Sequence, residues 1–321
     1  MNAKQRVKMM NSLDAECKSL SVLADRHEKA GELDEMYQAK KEVLENRIKI
    51  IDLATNNDET DDFSSLEDEI NVWESTPMKD KYRTGLNAID RNFDGGFEKG
   101  QLIILAGASG MGKTALTLQI LLSVSENHKS CFFSFEMSKH KIAGRLKQDN
   151  PTVEQRRNFI LTEKGRDISE LEKNIKNLNK KGYDFFVVDS LIAITNKNDS
   201  RSSKAEQVSQ IAQRLSKMCL ELNIIIITIA QMSKQDLKDK NLAIKNSGDV
   251  DYLADIMIYL TDGDDAEDKS SRLIHIKKNR QNGKTATETA YFDFDRIKLV
   301  DFKVAYTSEY VAEEQITMGV I

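Results

Sequence analysis

The amino-acid sequence predicts an α/β chain with a mostly parallel sheet flanked by helices, led in by a small helical hairpin. Three observations predict it. From about residue 81, short β-rich apolar runs alternate with helical stretches, the order that builds a parallel sheet with crossover helices. One strand-to-helix junction there is rich in glycine, Gly107-Ala108-Ser109-Gly110-Met111-Gly112-Lys113-Thr114. Before residue 55, apolar residues instead recur at spacings of three and four, the period of a helix face.

Residues 1–55 form the predicted hairpin. Met10, Leu13, Cys17, Leu20 and Leu23 make one stripe, and Lys29-Ala30-Gly31 ends that helix with a cation in its last turn and a glycine beyond. Leu33, Tyr37, Leu44, Ile48 and Ile51 make a second stripe. Two helices share little core, so the stripes have two outlets: another subunit or partner, or the main domain.

Residues 56–80 are predicted to be a linker carrying a short amphipathic helix. From Asn56 to Met78 there are eight acidic residues and no Lys or Arg. Ser64 and Glu67 have capping-box spacing, and Phe63, Leu66, Ile70 and Trp73 share one helical face. Such a helix suits a groove on a neighbouring subunit, or folds back on its own domain.

Residues 81–303 carry the main domain, and 304–321 a tail without signal. Strands are expected at Leu102–Ala106, Cys131–Phe135, Asn158–Leu161, Phe185–Asp189, Ile224–Ala230, Ile256–Leu260, Leu273–Lys277 and Thr289–Phe294. Helices are expected at Lys113–Ser125, Ile168–Lys181 and Ala205–Leu222. Asn282-Gly283 between the last two strands signals a hairpin, so the sheet ends antiparallel.

Composition narrows the function. A net charge of −5 excludes a uniformly basic nucleic-acid coat, so any DNA contact is confined to a loop or channel. Cys17, Cys131 and Cys219 lie far apart, which suits apolar thiols in a reducing compartment rather than zinc ligands or disulfides. The start lacks the apolar segment of a secretion signal, and the longest apolar runs are too short to cross a bilayer. The expected location is the cytoplasm, with no membrane contact.

Residues 107–114 have the full G-x-x-x-x-G-K-T pattern, after a strand and before a helix. The glycines let backbone N–H groups curl into an anion nest, and the helix dipole faces the phosphates. Lys113 is expected to reach the β- and γ-phosphates, and the Thr114 hydroxyl to ligate Mg²⁺. Phe185–Asp189 is a buried-type strand delivering one carboxylate to the same metal. Glu136 ends the strand after the phosphate-loop helix. It admits two roles, a general base on water or an acid paired with a helix dipole.

Beyond these residues the chain resembles a family. Thr84-Gly85-Leu86, Ile89-Asp90, Gly95-Gly96-Phe97, Gly100 and the phosphate loop look like the entry to the ATPase domain of DnaB-type replicative helicases, a RecA-like domain. Phe135-Glu136-Met137-Ser138, Gln231-Met232-Ser233, Ser247-Gly248 with Ala254-Asp255, and Lys278-Asn279-Arg280 are similar to that family's later motifs, over about residues 82 to 295. The resemblance implies a ring, usually a hexamer, that binds ATP between subunits. It assigns Glu136 as base, Gln231 as γ-phosphate sensor, and Lys278 and Arg280 as groups reaching a neighbour's site. It implies single-stranded DNA held near Lys245, Asn246 and Gly248, where the family usually has Arg and Glu at the first two. Two departures stand out. Ser190 follows Asp189, a pair also common in RecA and its recombinase relatives. The helical hairpin replaces the family's primase-binding domain, leaving a loader or another replication protein as a possible partner of that hairpin.

The expected function is therefore an ATP-driven ring helicase translocating on single-stranded DNA in replication. A RecA-like strand-exchange ATPase and a regulatory ATPase ring not driven by DNA are the alternatives.

Overall fold

A computed structural model describes residues 3–55, 65–75, 81–197, 202–232, 250–265 and 267–302. The chain divides into two compact units, residues 1–78 and 79–321.

In the first unit, α1 (Ala3–Ala30) and α2 (Leu33–Thr55) form the hairpin, and α3 spans Leu66–Ser75. Gly31 turns the chain with φ +78° just past the end of α1. The hairpin closes through a mostly small-residue face that includes Met36. Cys17, Ala24, Met36, Ala39 and Asn46 are buried, and the Cys17 thiol donates to the Val43 carbonyl. Ala24, Ala39 and Cys17 are small enough to let the two helices approach, and on α2 this face is buried in place of the expected stripe. Leu33, Tyr37, Leu44, Ile48 and Ile51 are all exposed, between 57% and 66%. On α1, Leu13 and Leu20 are half-buried, while Met9, Val22 and Leu23 remain exposed. On α3, Leu66 and Ile70 are exposed; Ser64, its expected cap, lies outside the described residues.

The second unit is built on a nine-stranded sheet. Its strands are β1 (Gln101–Gly107), β2 (Lys129–Ser134), β3 (Phe159–Thr162), β4 (Tyr183–Asp189), β5 (Ile225–Gln231), β6 (Ile256–Asp262), β7 (Ser271–Asn279), β8 (Ala286–Asp293) and β9 (Lys298–Val300). Their order is β3-β2-β4-β5-β1-β6-β7-β8-β9. Pairings from β3 to β6 are parallel, and those from β6 to β9 antiparallel. The expected helices are α5 (Lys113–Val124), α8 (Ile168–Asn179) and α9 (Lys204–Leu222), numbered after a short α4 (Asn87–Asp90). Between β2 and β3 lie two more, α6 (Lys139–Lys147) and α7 (Val153–Asn158), which periodicity did not predict. The sequence does carry their caps. The Ser138 hydroxyl accepts from the Lys141 N–H, and Thr152 with Gln155 forms a full capping box, each cap worth about 1 kcal/mol.

Side-chain alternation along the strands separates two cores. Leu102, Ile104, Phe133, Phe186, Val188 and Ile226 face α8 and α9, while Ile103, Leu105, Phe132, Phe185, Val187 and Ile227 face the α5 side. Both faces are covered, so the middles of the central strands are continuously apolar, Leu102–Ala106 in β1 and Phe185–Val188 in β4. The entry segment belongs to the α5 side. Tyr82, Leu86, Ile89, Phe93 and Phe97 are buried there, and the Asp90 carboxylate accepts from the Thr84 N–H and hydroxyl, each at 2.8 Å. The Asn-Gly signal produces a longer loop than a two-residue turn, from 280 to 285. It is held down by the Gln281 amide, which donates to the carbonyls of Phe93 and Gly96.

Candidate nucleotide site

The register of the sheet brings the site together. Gly107 at the end of β1 pairs with Gln231 at the end of β5, and Ser134 at the end of β2 pairs with Asp189 at the end of β4. The phosphate loop, Glu136, Asp189 and Gln231 therefore share the carboxyl edge of the parallel strands, where doubly wound sheets bind ligands.

Two glycines of the loop have no substitute. A Cβ on Gly107 would meet the Leu260 carbonyl oxygen of β6 at 2.5 Å. Gly112 has φ +97°, and a Cβ there would meet the Phe292 ring at 2.8 Å. Ala108, Ser109, Gly110 and Met111 complete the turn before α5. Lys113 is buried, and its ammonium donates to the carbonyls of Gly107 (2.9 Å) and Ala108 (2.7 Å). Burial lowers its pKa, opposed by the charges of Asp189 and Glu136. The Thr114 hydroxyl donates to Asp189 Oδ2 at 2.8 Å. Asp189 is 2% exposed, and burial raises its pKa to about 6, with the Thr114 bond pulling down and the Glu136 charge pushing up.

Thr114 and Asp189 thus present adjacent hard oxygen donors at the mouth of an amide-lined loop, a donor set that fits Mg²⁺ beside a polyphosphate. Burial resists the unpaired carboxylate charge at this place, which a cation would satisfy.

Glu136 is an exposed carboxylate just past β2. Its backbone is tied on both sides. Phe135 N–H donates to the Asp189 carbonyl at 2.8 Å, and the Ser134 hydroxyl donates to the Met137 carbonyl at 2.5 Å. Arg166 also donates to the Phe135 carbonyl and lies over its ring. The Ser190 hydroxyl donates to Glu136 Oε1 at 2.5 Å. Sequence reading noted Ser190 only as a departure from a pattern; its place beside Asp189 was the available signal. Arg166 and Phe292 carried none.

Lys278 and Arg280 lie elsewhere. Asn279 pairs with Ile256, and Ile256 with Ile103, so this end of β7 sits at the amino edge of β1. Four residues along β1 separate that level from Gly107, about 13 Å at the rise of a strand. Two strand spacings sideways add to this, more than an arginine side chain spans. Lys278 Nζ donates to the carbonyls of Asp251 (2.7 Å) and Tyr252 (3.1 Å). Arg280 pairs with Asp255 at 3.1 Å and donates to the Tyr252 carbonyl at 3.0 Å. Both are thus moored to the segment that opens with α10 (Val250–Leu253). Lys245, Asn246 and Gly248, just before it, lie outside the described residues.

The three cysteines are buried and free, and burial pushes the thiols of Cys131 and Cys219 up. Among the described residues there is no cluster of metal-ligating side chains and no helix long and apolar enough to cross a membrane.

Comparison with known proteins gives a consistent picture. Residues 82–158 and 144–301 match the family described as DnaB-like helicase C terminal domain. A probable replicative DNA helicase of Trieres chinensis is 26% identical over 301 residues, covering 81% of this chain and 65% of that protein. DNA repair protein RadA of Campylobacter jejuni is 29% identical over 228 residues, 70% of this chain and 46% of RadA. The chain thus spans less than two thirds of these curated relatives. Among solved structures, a DnaB-like replicative helicase shares the fold with a TM-score of 0.63 at 20% identity, covering 90% of this chain and 77% of that one.

Proposed function

Because the chain belongs to the family of DnaB-like helicase C-terminal domains, we propose that it is an ATP-driven ring helicase that moves along single-stranded DNA during replication. The observation that carries this reading is the meeting of the phosphate loop, Asp189, Glu136 and Gln231 at one sheet edge. On this reading the loop amides and Lys113 would hold the β- and γ-phosphates. Thr114 and Asp189 would hold Mg²⁺, which supplies charge neutralisation on the phosphate oxygens when bound. Glu136 would accept a proton from the attacking water. Gln231, strand-paired with Gly107, is suited to sense the γ-phosphate.

The distance of Lys278 and Arg280 from their own loop supports a role in trans. A neighbour's nucleotide would receive their charge as the leaving phosphate becomes more negative. Their mooring to the Asp251–Asp255 segment ties that finger to the chain that follows Lys245, Asn246 and Gly248 in sequence. Lys245 would hold a DNA phosphate as a point charge, with backbone amides beside it.

Assembly as a homo-oligomer, a hexamer by family analogy, has a second support. A groove of about 460 Å³ is lined by Leu122, Leu146, Phe159 and Leu161, with Lys147 and Arg156 at its side. It matches the chemistry of the acidic helix Leu66–Ser75 from another copy, with its exposed Leu66 and Ile70. The exposed apolar stripe of α2 would serve assembly or a loader or other replication protein.

A second reading, an ATPase of DNA repair that exchanges strands without unwinding, is favoured by the RadA similarity and the Asp189-Ser190 pair. ATP hydrolysis with and without single-stranded DNA, at low and moderate salt, tests the DNA-driven readings. A salt-sensitive stimulation reduced in Lys245→Ala is expected. A rate indifferent to DNA refutes the motor, and strand pairing without unwinding selects the second reading.

A further inference from the structure

The carboxylate read as the general base, Glu136, is exposed, on the connection between β2 and α6, and its side chain has several rotatable bonds. Its backbone is fixed by the bonds of Phe135, Ser134 and Arg166, but none of these touches the carboxylate. A base that samples several rotamers spends little time aligned with its water, and misplacement by an ångström is enough to slow a proton transfer.

Ser190 supplies the missing constraint. Its side chain is fully buried, with 0% exposure, so its position is set by packing. The Ser190 carbonyl accepts from the Ala193 N–H at 3.0 Å, closing a 3₁₀ turn over Leu191–Ala193. Leu191, in that turn, is completely buried in the core beneath the sheet. From this rigid mount the hydroxyl donates to Glu136 Oε1 at 2.5 Å, across 54 residues of sequence. Adjacent residues then serve the two halves of the site. Asp189 is bonded to Thr114 on the metal side, and Ser190 to Glu136 on the water side.

We propose that Ser190 is a positioning residue for ATP hydrolysis, holding one oxygen of Glu136 so that the other faces the attacking water. The inference rests on reading Glu136 as the base. Serine suits the place for two reasons. An apolar residue would leave the carboxylate to rotate freely, and the fully packed position leaves no room for a longer donor. The hydroxyl keeps its proton throughout; it orients the carboxylate, and the water's proton goes to the free oxygen of Glu136.

The test uses the full chain with Ser190→Ala, Glu136→Gln and the double variant. ATP turnover is followed at steady state and in a single turnover, and affinity with a fluorescent ATP analogue and Mg²⁺. Ser190→Ala is expected to lower kcat about tenfold, the equivalent of one positioning hydrogen bond. KM and the analogue's Kd should stay within about twofold, because phosphate and metal contacts are untouched. In the Glu136→Gln background the same alanine should cost nothing further, since the amide that the hydroxyl would still hold is no longer a base. An unchanged kcat in Ser190→Ala beside an inactive Glu136→Gln overturns the inference. So does an equal further loss in the double variant, which would show Ser190 acting by another route. Near-normal turnover of Glu136→Gln removes the base reading itself, and is told apart because it appears with Ser190 intact.

Discussion

Asp189→Asn should make the nucleotide-free protein more stable at neutral pH while depriving it of its metal response. The Asp189 carboxyl is 2% exposed and its pKa is raised from 3.8 to about 6, chiefly by burial. A rise of about two pKa units corresponds to about 3 kcal/mol between the protonated and ionised forms. Asparagine keeps the shape and a partner for Thr114 but carries no charge to desolvate. Some of the gain is lost if the amide bonds Thr114 less well, so about 1–3 kcal/mol is the expected range. At about 2–4 °C per kcal/mol for a domain of this size, the midpoint of thermal unfolding should rise by several degrees.

The sign with pH follows from linkage. A carboxyl whose folded pKa is raised binds its proton more tightly when folded. Its stabilising share is present below about pH 4, fades as pH rises through about 6, and is absent above. The advantage of Asp189→Asn should therefore be small near pH 4.5 and full by pH 7.5. Mg²⁺ with a non-hydrolysable ATP analogue should reverse the ranking, because only the carboxylate gains from the cation. Thermal unfolding of both proteins at the two pH values, with and without that ligand, measures all of this. A variant no more stable than its parent at pH 7.5, or a difference indifferent to pH, refutes the reasoning.

Three further outcomes are expected. Arg280→Ala should assemble but hydrolyse ATP slowly, and mixing it with inactive Lys113→Ala subunits should restore part of the rate; mixtures with no gain would remove the action in trans. Gly107→Ala should cost about 1–3 kcal/mol of stability, because its Cβ would meet the Leu260 carbonyl at 2.5 Å and β6 must shift; an unchanged denaturation midpoint would show that the strand yields freely. Replacing Leu66 and Ile70 together by lysine should reduce oligomer mass in light scattering, by removing the apolar face of α3; an unaltered mass would exclude that helix from assembly.

The legible part of this protein is its local part. The phosphate loop, the apolar strands and the cation-glycine stop at Lys29–Gly31 are each written in a few consecutive residues, because a nest, a pleat and a cap need only near neighbours. The same locality explains what was passed over. Thr152 and Gln155 spell a capping box for a helix whose short body has no apolar stripe to announce it. In the hairpin, periodicity found Cys17 on α1 but picked out the large side chains of α2, whereas α2 closes through Met36, Ala39 and Asn46. Periodicity ranks residues by hydrophobicity, and it passed over Ala24 and Ala39, which are buried because they let the backbones approach.

The position of the phosphate-loop motif was thus contained in the order of the amino acids. Which groups share an edge with it was not. The parallel run of β2, β4, β5 and β1 brings Glu136, Asp189 and Gln231 to the edge of the loop, while the antiparallel β7 leaves Arg280 at the opposite, amino edge. The bond between Ser190 and Glu136 exists because β2 and β4 pair in one particular register. Register is a sum over many weak contacts between segments distant in sequence, and a one-residue slip would turn every side chain to the other face. That information belongs to the packed sheet, not to any one of its strands.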